Sequence, residues 1–339
     1  MHKNRVIILN DTDVDGQHFG CQRVMRIIRE SLQQRGMNIA GTLPVGIEMK
    51  PNHSNLTLFN TADVVVINGE GTLHHGRRKG RWLLDAAKYF KSHGKKVFLI
   101  NALWQDNPAD WHALLGNFDK IWCRDSFSSL QLSAFLNQPI SWHGDLSLYS
   151  EKIPNFDKVR KGTIIGDSVS KSLTKKLWKF QAKYCPEAKI VPILKGAKFI
   201  SPHLSPISKG VQQWLNSRFR TSNLNKFSNL HYAQNENEYL DIISNSALSI
   251  TGRFHAISLA ILSGTPFVGV ESNSHKISAL VNDIGISSNR LIENTNLHKE
   301  IIENKWAYSE DEKNNIIRKL RDWKIATEIM FDEITERHT

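Results

Sequence analysis

The sequence predicts an α/β protein built from two doubly wound parallel-sheet domains and a long C-terminal helix. Three observations predict it. Short β-branched runs alternate with helical stretches along the chain, the pattern of parallel sheets covered by helices on both faces. The alternation comes in two sets, separated near residues 150–161, where Pro154, Asn155 and Asp157 interrupt it and positive charge rises. A length of 339 residues is enough for two cores of ordinary size.

In the first set, apolar runs predict strands at residues 6–10, 38–42, 64–68, 97–101, 120–123 and 140–143. Helical spacing predicts helices at 17–35, 78–93 and 126–136, the last opened by Asp125 or Ser126 as N-cap. The second set predicts strands at 163–165, 189–192, 247–251 and 267–270. Its helices are expected at 170–183, 206–217, 236–244, from Arg253 onward, and at 275–284. Residues 308–337 read as one charged helix with Ile316, Leu320, Trp323, Ile325 and Ile329 among its apolar positions, expected to pack back across both domains. In sheets of this kind ligands bind beyond the carboxyl ends of the strands, so the site is expected in the cleft between the domains.

Composition narrows the class. The longest apolar runs, such as Val64-Val65-Val66-Ile67, are of strand length and too short to span a bilayer. The chain passes from Met1 to Arg5 straight into a strand, which leaves no room for a signal peptide. Cys21, Cys123 and Cys185 form neither an even framework nor a CxxC pair, and the expected compartment is the reducing cytoplasm. Much of the net charge of +11 lies after residue 150. There Lys171, Lys175 and Lys179 repeat at helical spacing beside an apolar stripe of Leu173, Leu177 and Phe180, with Trp178 next to it. This basic amphipathic helix suits an anionic membrane surface or a phosphate-rich ligand, whereas no nucleic-acid-binding motif accompanies the charge.

The most informative stretch is Ser249-Ile250-Thr251-Gly252-Arg253-Phe254-His255-Ala256. It reads as strand, glycine turn and helix start, with a guanidinium and an imidazole in the first turn. A helix start presents unpaired N–H groups to an anion, Arg253 can grip carboxylate or phosphate in bidentate fashion, and His255 can move a proton near neutral pH. Ile257, Leu259, Ala260, Ile261 and Leu262 make the helix apolar almost all round, so it should be buried with its polar first turn at a rim.

Other loops supply carboxylates. Asn68-Gly69-Glu70-Gly71-Thr72-Leu73-His74-His75-Gly76 follows a strand; Gly69 and Gly71 let the backbone approach a ligand, and Glu70 and His74 suit acid/base work on a hydroxyl. Adjacent His74 and His75 point apart and are not expected to share a metal. Asn10-Asp11-Thr12-Asp13-Val14-Asp15-Gly16 begins like a calcium loop but has Gln22 where a bidentate Glu is needed, so it is expected to line the cleft and hold no metal. Arg124 ends a strand and is expected to offer a second cation to the cleft, and Asp145 ends the next strand.

These residues together resemble the polysaccharide pyruvyl transferase family over most of the chain. The resemblance rests on the 68–73 loop, on Arg124-Asp125-Ser126, on Gly144-Asp145, and above all on 242–285, with its Arg253-Phe254-His255 triplet, Lys276 and Asp283-Ile284-Gly285. Two loops depart from the family pattern. A longer 11–21 stretch with His18 and Cys21 replaces a short Asn-Gly-Asp loop, and the 70–75 version of the second loop marks a divergent subgroup.

The resemblance implies a GT-B-like pair of Rossmann-like domains: an acceptor-side domain at 1–152, a donor-binding domain at 153–307 and a closing helix at 308–339. It implies transfer of pyruvate from phosphoenolpyruvate to a pair of sugar hydroxyls as a ketal, with no metal or cofactor. Donor contacts would be Arg253, Arg124, Gly252, Lys276 and Ser272. Acceptor contacts would be Asp11, Asp13, His18, Gly69 and Gly71, and catalysis would fall to His255, Glu70, Asp145 and His74. Two readings compete: a glycosyltransferase moving a Kdo-type ulosonic acid from a CMP-activated donor, and a non-catalytic glycan-binding protein. The expected partner is a glycan of capsule or O-antigen type on a lipid carrier, and the expected place is the cytoplasm, in peripheral contact with the anionic inner membrane.

Overall fold

The computed structural model describes residues 4–13, 16–49, 56–195, 206–271, 274–293 and 297–335. Among these residues the chain forms two parallel sheets. Contacts group it into two compact units, one holding the described residues of 4–13, 24–149 and 322–335, the other those of 16–23 and 150–321.

The first unit carries β1 (Arg5–Asp11), α1 (Phe19–Gln34, whose opening residues group with the second unit), β2 (Asn38–Pro44), α2 (Leu56–Asn60), β3 (Val64–Asn68), α3 (Arg78–Ser92), β4 (Lys96–Ala102), β5 (Lys120–Cys123), α4 (Ser126–Leu136) and β6 (Ser141–Trp142). Its six strands run parallel in the order β2-β1-β3-β4-β5-β6. The twofold period of a strand divides its side chains between two cores. Ile7, Leu9, Val65, Ile67, Val97 and Leu99 face one core with Leu84, Ala87 and Phe90 of α3. Val6, Ile8, Val64, Val66, Phe98 and Ile100 face the other with Val24, Met25 and Ile28 of α1. Burial on both faces is why these strands read as unbroken apolar runs. Asp125 caps α4 by accepting from Ser128 N at 2.7 Å, and Asn137 ends it in the left-handed region at φ 51°.

The second unit carries β7 (Thr163–Ser168), α5 (Lys171–Tyr184), β8 (Lys189–Ile190), α6 (Pro206–Lys226), α7 (Glu236–Asn245), β9 (Leu248–Gly252), α8 (Phe254–Leu262), β10 (Phe267–Val270), α9 (Lys276–Ile284), β11 (Leu291–Ile292), α10 (Glu300–Glu303) and the opening of α11 (Glu310–Thr335). Its five strands are parallel in the order β11-β10-β9-β7-β8. Ile165, Ile190, Ile250, Val268 and Val270 pack with Leu173, Leu177, Trp178 and Phe180 of α5. Every side chain of α8 from Phe254 to Ile261 is buried. Each fully buried aliphatic side chain contributes roughly 1.5–3 kcal/mol, so α8 is a firm base for its first turn.

One expectation about helix faces holds and one needs correction. Leu173, Leu177 and Phe180 of α5 form a buried apolar stripe with Trp178 beside it, and Trp178 donates Nε1–H to the Gly166 carbonyl at 3.1 Å. Lys171, Lys175 and Lys179 stay exposed. Along α11, Ile316, Trp323, Met330, Phe331 and Ile334 are buried, whereas Ile325 and Ile329 are about half exposed. The helix therefore buries a stripe displaced from those two isoleucines.

Candidate functional site

In each sheet the strand order reverses once. The chain leaves β1 for β2 on one side and returns to β3 on the other; it leaves β7 for β8 and returns to β9. Loops diverge above the carboxyl ends at such a point and leave a crevice there. Both groups of polar residues singled out in the sequence gather at these two points.

At the β1/β3 point of the first unit, Thr12 donates its hydroxyl to Glu70 Oε2 at 2.8 Å, and Asn68 Nδ2 reaches the same oxygen at 3.3 Å. Asn10 donates to the Asn68 carbonyl at 2.6 Å and to Thr72 Oγ1 at 2.9 Å. Glu70, Thr12, Asn68 and Asn10 are all buried, so the carboxylate is fixed by its neighbours. Gly69 is required by close approach, since a Cβ there would lie 2.7 Å from Ala102 Cα; Gly71 adopts φ +56°. Asn10 and Asn101, at the ends of β1 and β4, hold left-handed φ values of 61° and 53°. Asn10 Oδ1 and Asn101 Nδ2 are buried without a hydrogen-bond partner among the described residues.

At the β7/β9 point of the second unit, Arg253 caps α8 and donates Nε–H to Asp167 Oδ2 at 2.7 Å, with Nη2 2.6 Å from the same oxygen. Asp167 Oδ1 accepts from Ile193 N at 3.1 Å, which ties the carboxylate to the following loop. His255 sits in the first turn of the unit's buried helix, and the ring of His18 meets it edge-on with centroids 5.3 Å apart. The backbone at Gly20 presses on His255: a Cβ at Gly20 would come within 2.2 Å of His255 Cβ and Cγ. Burial, helped by the positive fields of His255, Arg253 and Lys276, holds the His18 imidazole well below its ordinary pKa and therefore neutral. Tyr239, buried against Phe19, is pushed up by burial and by Asp167.

The polysaccharide pyruvyl transferase model matches residues 3–274. The chain belongs to that family. It is accordingly a transferase that modifies polysaccharide.

No curated protein sequence matches the chain. Among solved structures, the family member is similar to the S. aureus MnaA–UDP structure (12% identity, 98% of this chain and 96% of that one, TM-score 0.56). It is also similar to the glycotransferase of kitacinnamycin (10% identity, 98% of each chain, TM-score 0.53) and to UDP-GlcNAc 2-epimerase from Neisseria meningitidis (12% identity, 98% and 100%, TM-score 0.51). At these identities the likeness concerns the fold, two GT-B-like parallel-sheet domains.

Within this pyruvyl transferase fold the expected residues are distributed unevenly. Arg253, Gly252 and His255 come together as expected, and Lys276 opens α9 close enough to act on His18. His18, expected among the acceptor contacts, lies beside His255, because the start of α1 packs against α8. Asp11 and Asp13 both pair with Arg29, at 2.5 and 3.2 Å. Arg124 does not project as a second cation: it pairs with Asp145 at 3.0 Å, with side chains only 2% and 0% exposed. Each thereby compensates the other's buried charge. His74 is buried beside His75, whose Nδ1 lies 3.2 Å from Asp106. Ser272 lies outside the described residues. Sequence reasoning missed Asp167, Arg29, Asn101 and the grouping of Cys21 with the two histidines. The reversal in strand order, once known, would have drawn attention to Asp167, near the end of β7.

Proposed function

We propose that the protein transfers the pyruvyl group of phosphoenolpyruvate to two hydroxyls of a sugar, forming a ketal. The observation that carries this reading is Arg253, held by Asp167 at the start of a buried helix and two residues before His255. Asp167 engages Nε and Nη2, which leaves Nη1 outside that pair, and the first α8 turn adds backbone N–H groups suited to a carboxylate or phosphate. Lys276 adds a second positive charge.

A proton delivered to the C3 methylene of the donor leaves cationic character at C2. There a sugar hydroxyl attacks, its O–H bond breaking as the C–O bond forms. Phosphate then departs with the C2–O bond pair, and the second hydroxyl closes the ring by the same addition and proton loss. His255 is assigned to protonating or orienting the donor and Glu70 to accepting the acceptor's proton. Thr12 and Asn68 both donate to Glu70 Oε2 and so hold that carboxylate in place.

Incubation with phosphoenolpyruvate or with CMP-Kdo, each with a panel of glycans, tests the donor. Phosphate release with a pyruvylated product is expected; release of CMP overturns the reading.

We also infer that the enzyme works in the cytoplasm at an anionic inner leaflet, on a lipid-linked glycan of capsule or O-antigen type. Among the described residues no helix is long and apolar enough to cross a membrane. Support for surface attachment comes from α6 more than from α5. Val211, Trp214, Leu215 and Phe219 form an exposed apolar stripe on α6; the helix contains no acidic residue, and Arg218 and Arg220 lie along it.

A further inference from the structure

We propose that His18, Cys21 and His255 form a binding site for a divalent transition cation of zinc type. One nitrogen from each histidine and the Cys21 sulfur lie within 4.8 Å of one another. The edges of a tetrahedral zinc site with nitrogen and sulfur ligands are about 3.3–3.8 Å, so small side-chain rotations close the set. Two imidazoles and a thiol are the donors that zinc and cobalt take, and calcium or magnesium would require oxygens. Three protein ligands leave a fourth position open.

The local sequence is built for this grouping. His18 and Cys21 stand three apart at the entry to α1, a spacing that turns both toward one side of a helical turn. Between them Gly20 lets His255 rest directly on the backbone, where any Cβ would collide with the imidazole. His255 itself is fixed by a helix buried from Phe254 to Ile261. A third ligand is thus delivered to a two-residue clasp from a distant and rigid element, which limits the entropy lost on binding.

The charge balance also fits. Arg253, whose charge acts on His18, is compensated by Asp167. A Cys21 thiolate offsets half of a divalent charge, and Lys276 close by favours an anionic oxygen, carboxylate or phosphate, as the fourth ligand. A metal on His255 occupies the lone pair that a proton would take, so occupancy and proton delivery by His255 exclude one another. The inference does not depend on pyruvyl transfer, because it is read by metal spectroscopy in the absence of any donor or acceptor.

The test is a titration of the untagged, metal-stripped full chain with Co2+ under reducing conditions. Expected are a thiolate-to-cobalt charge-transfer band and strong tetrahedral d–d bands that saturate at equimolar metal. Cys21→Ser should abolish the charge-transfer band, and His18→Gln should weaken binding about tenfold or more while circular dichroism stays native. Burial raises the thiol pKa values of Cys123 and Cys185, so neither should supply the band. Failure of the wild-type chain to develop the bands, or bands that survive Cys21→Ser, would overturn the proposal.

Discussion

Asp167 receives Arg253 through a single carboxylate oxygen, Nε at 2.7 Å and Nη2 at 2.6 Å, while its other oxygen is held by the Ile193 amide. The guanidinium is therefore oriented from behind. Arg253→Ala should cost about 2–4 kcal/mol in donor binding and turnover. Asp167→Asn keeps the amide contact but loosens the arginine, and should lower kcat/KM for the donor about tenfold or more. Donor titration and steady-state kinetics check both, and unchanged affinity in a folded Arg253→Ala variant contradicts the clamp.

Glu70→Gln keeps shape and burial but removes the basic lone pair. It should reduce kcat roughly a hundredfold with little change in melting temperature. Near-normal kcat would take the base role away from Glu70.

The pyruvyl transferase fold was legible where one element carried its own evidence. The apolar runs of β1, β3 and β4 announced strands buried on both faces, and the all-round apolar Ile257–Leu262 stretch announced a helix inside the domain. What could not be read were pairings across long sequence separation. Asp167 lies 86 residues from Arg253, and no local pattern links them. The same holds for His18 and Cys21 against His255. Arg124 and Asp145 were both noticed, yet an apolar strand end does not reveal whether its charged neighbour meets solvent or another charge. Helix faces failed for a related reason: an amphipathic stripe shows that something covers it, not what. The stripe of α5 is covered by its own sheet, and that of α6 is exposed.

Glu312 predicts an acid limit for the second unit. Burial alone would raise its pKa, but hydrogen bonds from Arg290, Ser309 N and Ser287 N outweigh it and hold the carboxyl at about 2, against an ordinary 4.5. A depressed carboxylate stabilises the fold fully above its ordinary pKa, and that stability fades as pH falls through the folded value. Glu312→Gln should therefore be less stable than wild type at pH 7, by about 3 kcal/mol for breaking a buried pair. Denaturant melts should show the gap closing between about pH 4.5 and pH 2. A gap independent of pH would refute the assignment.

Attachment through α6 predicts co-sedimentation with anionic vesicles that weakens as salt is raised. Trp214→Ser with Phe219→Ser should abolish it, whereas removing Lys171 and Lys175 of α5 should reduce it only modestly, by about 1 kcal/mol per lysine. Equal binding to neutral and anionic vesicles would rule the surface out.

The burial of two of the three cysteines turns the wild-type chain into its own reporter. Cys123 and Cys185 are closed off inside their cores, while Cys21 stays partly accessible beside His18 and His255. A thiol-directed fluorophore added to the native protein should therefore attach at one place without any engineering. The rate of attachment would then report ion arrival, because a metal on the Cys21 sulfur blocks the thiol.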